Sequence, residues 1–188
     1  MKTIFLTITL IIPTLLFSQR NCNFDVEVKD SLGTLKSIKE ILMYERVFGN
    51  NEQYLFFSLS NSDGTPFLSL QQVQKNNIFI NTNCLDKNSK IYIQLENDKI
   101  ITLIHTDNEF CSTLIQEQNK NMRVLSGNFL FLKNSFEELK KSPIKTIRIK
   151  YSTETVDYLI KSELQSELLK EFYRPANYFI DYLHCVEN

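Results

Sequence analysis

The sequence predicts an α+β fold built on a mainly antiparallel β-sheet, arranged as a meander, curved sheet or partial barrel, with one short helix and a C-terminal helical tail. Three observations carry this. Ile91, Ile93 and Leu95 alternate with Lys90, Tyr92 and Gln94, and beyond an Asn-Asp pair residues 100–104 return rich in β-branched side chains, which reads as two strands and a turn. Strand-like runs bounded by Gly, Asn and Asp recur through most of the chain. Apolar residues at helical spacing gather late, after Asn134 and after Ser162. Many strands, a short helix, two strands and a tail is an α+β order.

Residues 1–19 read as a secretory signal of bacterial type. Lys2 supplies the positive start, 4–17 is an apolar run, and Ser18 suits a cleavage edge. The run is short of the roughly 20 apolar residues that a spanning helix needs. Lipidation at Cys22 is disfavoured by the polar, bulky Gln19-Arg20-Asn21 before it. Residues 20–188 are then expected to form a single exported globular domain, long enough for a real core, with no transmembrane segment after signal removal.

Within that domain, 24–28 alternate as a short strand, and Asp30-Ser31-Leu32-Gly33 form a turn. Residues 38–48 are ambiguous: Ile38, Ile41 and Leu42 fit a helical face, but the clear strand after Gly49-Asn50-Asn51 favours a strand. That next strand is 53–59. Asn61-Ser62-Asp63-Gly64 is a strong turn signal, and 67–71 follows as its partner, so the hairpins make a meander. Residues 78–81 read as one more short strand.

The clearest element follows. With Asn97-Asp98 at the turn centre, Leu95 faces Ile100, Ile93 faces Thr102 and Ile91 faces Ile104 on one buried face, and Glu96 sits opposite Lys99. Carried outward, this register puts Cys84 opposite Cys111, within disulfide reach. The weak point is Asp86-Lys87-Asn88-Ser89, a turn-like cluster.

Residues 108–121 are polar and read as a loop or a ragged extension of the hairpin. Residues 122–132 are a strand, with Gly127-Asn128 marking a turn or bulge. Asn134 and Glu137 have the spacing of a capping box, which starts a short helix with Phe136 and Leu139 toward the core. Ser142-Pro143 ends it. Residues 144–151 and 155–160 form two paired strands. Ser162 and Gln165 repeat the capping spacing, and Leu164, Leu168 and Phe172 form a helical stripe. Arg174-Pro175 interrupts it, and Phe179, Ile180 and Leu183 make a second stripe that ends near Cys185.

The chain has 4 cysteines, all beyond the signal, which suits an oxidising compartment and two disulfides. If Cys84 pairs with Cys111, Cys22 and Cys185 remain. Free thiols or a metal site are the alternative, and no CxxC or Cys/His spacing supports a metal. The balance of 21 Lys and Arg against 22 Asp and Glu creates no field for nucleic acid.

Catalytic residues are not identifiable. P-loop, dinucleotide, nucleophile-elbow and HExxH motifs do not occur, and no cofactor is implied. His105 with Asp107 and Glu109 has no recognised ligand spacing. His184 neighbours Cys185, and adjacent residues on a helix do not face each other. Asp86-Lys87-Asn88-Ser89-Lys90 lacks the Gly and Glu that a calcium loop requires. Tyr178 and Tyr182 share a helix face and are candidate ligand contacts, with core packing as the ordinary role of such rings. The sequence therefore favours an exported, non-catalytic binding or cell-envelope accessory module that takes a protein, a peptide or a small apolar ligand. A periplasmic or secreted hydrolase with an unrecognised carboxylate/His site is the alternative.

Overall fold

The computed structural model describes residues 21–31, 33–106, 109–117 and 120–187, with Glu117 as backbone alone. The expected signal lies outside them. The elements run β1 (Phe24–Asp30), β2 (Gly33–Ile38), β3 (Ile41–Phe48), β4 (Asn51–Ser62), β5 (Thr65–Asn76), β6 (Cys84–Leu85), β7 (Lys90–Leu95), β8 (Ile100–His105), β9 (Phe110–Cys111), β10 (Thr113–Glu117) and β11 (Lys120–Phe131). Then come α1 (Ser135–Leu139), β12 (Ile144–Lys150), β13 (Thr155–Leu159), β14 (Leu164–Gln165), β15 (Phe172–Tyr173) and α2 (Tyr178–Tyr182), the last flanked by 3-10 turns.

One antiparallel sheet organises the chain, in the order β1-β2-β4-β5-β11-β8-β7-β12-β13. Two strands of 12 residues, β4 and β11, each serve two partners along one edge. β2 and β3 share β4, and β8 and β10 share β11. The β4–β5 turn is Asp63-Gly64, both with positive φ (49° and 81°), as a tight two-residue hairpin requires. Its Asp63 carboxylate accepts the Thr34 backbone N–H at 2.7 Å and so pins the β1–β2 turn. At Gly33, φ is +145° and an added Cβ would lie 2.6 Å from that carboxylate, so the position demands glycine.

The sheet curls until its last strand meets the β3 branch through side chains. Tyr44 on β3 packs edge-on against Tyr158 on β13, with centroids 5.1 Å apart. The enclosed face carries Leu55, Phe57, Leu68, Leu70, Ile93 and Ile147, all buried, each contributing about 1.5–3 kcal/mol of transfer free energy. The C-terminal segment plugs one end of the curl. There Tyr178 packs on Phe57 at 5.9 Å, and the Asn61 amide donates to the Val186 carbonyl at 2.7 Å.

Several expectations shift. In the central hairpin, Leu95 N–H bonds the Lys99 carbonyl, and Ile93 and Ile91 face Ile101 and Leu103. The loop is Glu96-Asn97-Asp98, with Asp98 left-handed at φ 63°, so the register is one residue off the expected one. Such a slip turns a strand over: Leu103 and His105 point inward, while Ile100 is 62% exposed. Lys99 pairs with Glu138 at 2.6 Å instead of Glu96.

Cys84 nevertheless stands opposite Cys111. Four residues separate Leu85 from Lys90, and five separate Ile104 from Phe110, which restores the missing step. The structure contains both bridges, Cys84–Cys111 and Cys22–Cys185.

The helix expected after Ser162 is a small hairpin, β14–β15. The outer face of β3 and β4 carries Leu42, Tyr54 and Phe56, and Leu164 and Tyr173 cover them. Glu45 accepts the N–H groups of Glu167 and Leu168, both at 3.1 Å. Burial and that carboxylate outweigh a helix propensity worth a few tenths of a kcal/mol per residue. Asn134 starts α1 in the left-handed region without a side-chain cap, so the capping box does not form. Residues 108–121 include β9 and β10, the latter paired with the start of β11. Residues 38–48 divide at Lys39 and Glu40 between two strands. Residues 78–81 join no ladder. Among the described residues, no helix is long and apolar enough to cross a membrane.

Candidate functional site

The enclosed face changes character along β4 and β5. From the plugged end, β5 presents Leu68 and Leu70, then Gln72, Gln74 and Asn76, and β4 presents Phe57 and Leu55, then Gln53 and Asn51. Alternate positions share a face, so the switch from leucine to carboxamide is a switch from packed core to open mouth. A cleft of about 310 Å³ lies there, completed by Asn81, Asn83, Glu154 and Tyr158. That is the small end of the roughly 300–1,000 Å³ of ligand sites.

Three strands, β4, β5 and β13, and one crossing segment build the walls. Arg123 of β11 donates from Nε to the Ile80 carbonyl at 3.0 Å, and Asn121 donates to the Ile78 carbonyl at 3.0 Å. These side chains fasten residues 78–81 across the mouth, where a ladder was expected. Phe79 is left 71% exposed at the rim, with the Arg123 guanidinium 5.8 Å from its ring centroid. On the opposite wall the phenol of Tyr158 takes the Gln72 amide at 2.8 Å and meets the Tyr151 phenol at 3.0 Å. Burial pushes the Tyr158 phenol up to about 12 and Tyr151 well above its ordinary value, so this network is uncharged at neutral pH.

The amides of Gln53, Gln74, Asn81 and Asn83 have no hydrogen bond from their side chains to another described residue. Each offers both donors and an acceptor without charge. Seven carboxamides, one carboxylate and an exposed ring suit a neutral ligand rich in hydroxyl or amide groups.

A second groove, about 510 Å³, lies on the outer side of the sheet and includes Asp25, Glu40, Glu171 and Tyr173. Burial, and then the Asp25 charge, hold the Glu40 carboxyl above its usual range.

The residues singled out from sequence fall elsewhere. Tyr178 is 1% exposed in the core, its ring 5.7 Å from that of Tyr182, and neither lines the amide cleft. His105 packs on Phe129 at 5.2 Å, with Nδ1 3.1 Å from the Asp86 carbonyl, a structural position. His184 does meet its neighbour: Nε2 lies 3.6 Å from Cys185 Sγ and 3.4 Å from Cys22 Sγ. The expectation of separation assumed an α-helix, and this turn is 3-10. The signal for the cleft was present as Leu68-Ser69-Leu70-Gln71-Gln72-Val73-Gln74, an alternation that changes from leucine to glutamine without changing face.

No family model, curated protein or solved structure matches the chain.

Proposed function

We propose that the protein is an exported binding module whose amide-lined cleft takes a neutral, hydroxyl-rich ligand, with a saccharide terminus as the class. One observation carries the reading: the enclosed face turns from leucine to carboxamide, and four amides of the cleft, Gln53 and Gln74 on that face and Asn81 and Asn83 beside it, have no protein partner among the described residues. Gln53 and Gln74 are half-buried and Asn81 is exposed, so these amides face the open mouth, where a ligand can take up their donors and acceptors. Phe79 offers a face against which a sugar ring stacks, and Glu154 disfavours anionic ligands. The signal-like residues 1–19 and the two disulfides support export.

A glycan array followed by calorimetry tests the cleft. The reading expects binding of neutral saccharides that Gln53→Ala with Gln74→Ala weakens by about tenfold or more, two lost hydrogen bonds of about 1 kcal/mol each. No binding, or binding that the double variant leaves unchanged, overturns it. Export is tested by N-terminal sequencing of the secreted protein, and a chain still starting at Met1 overturns it.

The second reading is a hydrolase using the outer groove, favoured by the raised Glu40 carboxyl beside Asp25. Glycosidase and esterase substrates would be turned over, and Glu40→Gln would abolish turnover.

A further inference from the structure

We propose that the Cys22–Cys185 bridge is a thiol–disulfide exchange site for a dithiol protein reductant, with His184 receiving the leaving sulfur. Cys84–Cys111 is the inert structural bridge.

The two bridges sit in opposite surroundings. At the first, the His184 imidazole lies against both sulfurs, with Nε2 3.4 Å from Cys22 Sγ and 3.6 Å from Cys185 Sγ. Its other nitrogen, Nδ1, is buried without a hydrogen-bond partner among the described residues. A disulfide sulfur is a weak acceptor, so the oxidised bridge gives this ring little in return. A thiolate at either position would accept a charge-assisted hydrogen bond from Nε2–H. At the second bridge, the neighbour is a carboxylate: Glu109 lies with Cys84 and Cys111, their ligand atoms within 4.8 Å of one another. A negative group there opposes thiolate formation.

Access is available at the first bridge. Cys22 is partly exposed, and Cys185 lines a cavity of about 280 Å³ with Lys29 and Lys36 as well as Glu27 and Glu187. Those charges nearly balance, which leaves the imidazole as the group that distinguishes the site.

The exchange balances without further parts. One thiol of the reductant gives its proton to solvent and attacks Cys22 Sγ as a thiolate, the Cys22–Cys185 bond breaks, and Cys185 leaves as a thiolate that accepts the hydrogen bond of His184 Nε2–H and then takes a proton from solvent. The reductant's second thiol, as thiolate, attacks the mixed disulfide and expels Cys22. Two protein thiols form as the dithiol becomes a disulfide, and its two protons are conserved. A better stabilised leaving thiol departs faster.

Accessibility alone predicts the opposite order, because Cys111 is the most exposed of the four cysteines and Cys185 is buried. The test is timed reduction of the folded protein with dithiothreitol, acid quench, alkylation and peptide mass mapping. We expect Cys22 and Cys185 to be labelled about tenfold faster than Cys84 and Cys111. His184→Gln should remove most of that difference without changing the Cys84–Cys111 rate, and Glu109→Gln should speed Cys84–Cys111. Equal rates, a faster Cys84–Cys111, or a His184→Gln protein with an unchanged Cys22–Cys185 rate overturns the proposal. Should His184→Gln fail to fold, the order of the two bridges in the unaltered protein and the response of Cys84–Cys111 to Glu109→Gln decide the matter.

Discussion

Gln72 donates from Nε2 to the phenol oxygen of Tyr158 at 2.8 Å, joining β5 to β13 across the interior of the curled sheet. The bond ties the middle of the sheet to its last strand, at the boundary between packed core and cleft.

Tyr158→Phe removes that acceptor and leaves the Gln72 amide buried without a partner, at a cost of about 1–3 kcal/mol. Urea unfolding should show a lower midpoint. Pairing Tyr158→Phe with Gln72→Leu should recover part of the loss, since replacing both partners removes the unsatisfied group. A double variant less stable than Tyr158→Phe alone would count against this account.

Alkali should unfold the protein through the same network. The Tyr158 phenol titrates near 12 when folded and near 10 when unfolded. Between these values the unfolded chain holds fewer protons, so stability is full below about pH 10 and falls as pH rises toward 12. Tyr151 adds to the effect in the same direction. Unfolding midpoints measured from pH 8 to 11.5 should be flat and then decline, and Tyr151→Phe with Tyr158→Phe should flatten the decline.

Gly127 lies inward on β11, where an added Cβ would press into Leu85 and stand 3.2 Å from His105 Nε2. Leu85 is fully buried and has little room to yield. Gly127→Ala should therefore cost about 1–3 kcal/mol by overpacking, read as a fall in Tm. A neutral or stabilising result would mean that Leu85 finds another rotamer.

Replacing Cys22 and Cys185 with Ser should loosen the C-terminal plug before the sheet. Loss of a native bridge costs about 2–5 kcal/mol. Hydrogen exchange should rise first over residues 175–186, while the β4–β5–β11 ladder stays protected. Uniform loss of protection would show that the plug and the sheet open as one unit.

The sheet was legible because period-two patterning is local: Ile91, Ile93 and Leu95, or Leu68 and Leu70, declare a face without reference to any partner. The register of the central hairpin was not. It depended on whether Asp98 would adopt positive φ as the third residue of a loop, and the apolar residues Ile100, Ile101, Leu103 and Ile104 supply both faces of β8 with plausible candidates. Leu164, Leu168 and Phe172 misled for a related reason. Their spacing fits a helix, but the hydrophobic outer face of β3 and β4 that claims Leu164 is assembled from distant residues. The cleft was half visible. Gln72 and Gln74 follow the leucine face in plain sequence order, whereas the approach of Asn81, Asn83 and Tyr158 depends on the curl. The His184 contact rested on the pitch of one turn.

The separation of 163 residues between Cys22 and Cys185 also sets an order of events. A chain made from its N-terminus presents Cys22 before Cys84 and Cys111, and Cys185 after both. During most of synthesis the thiols within reach of Cys22 are the wrong ones, Cys84 and then Cys111. Pairing of those two in register, by β6 and β9, withdraws both from circulation and leaves Cys22 unspent until Cys185 arrives. The small two-stranded ladder that carries Cys84 and Cys111 thus acts as a timekeeper for oxidation: a chain in which it forms late would accumulate crossed bridges that require reshuffling over seconds to hours.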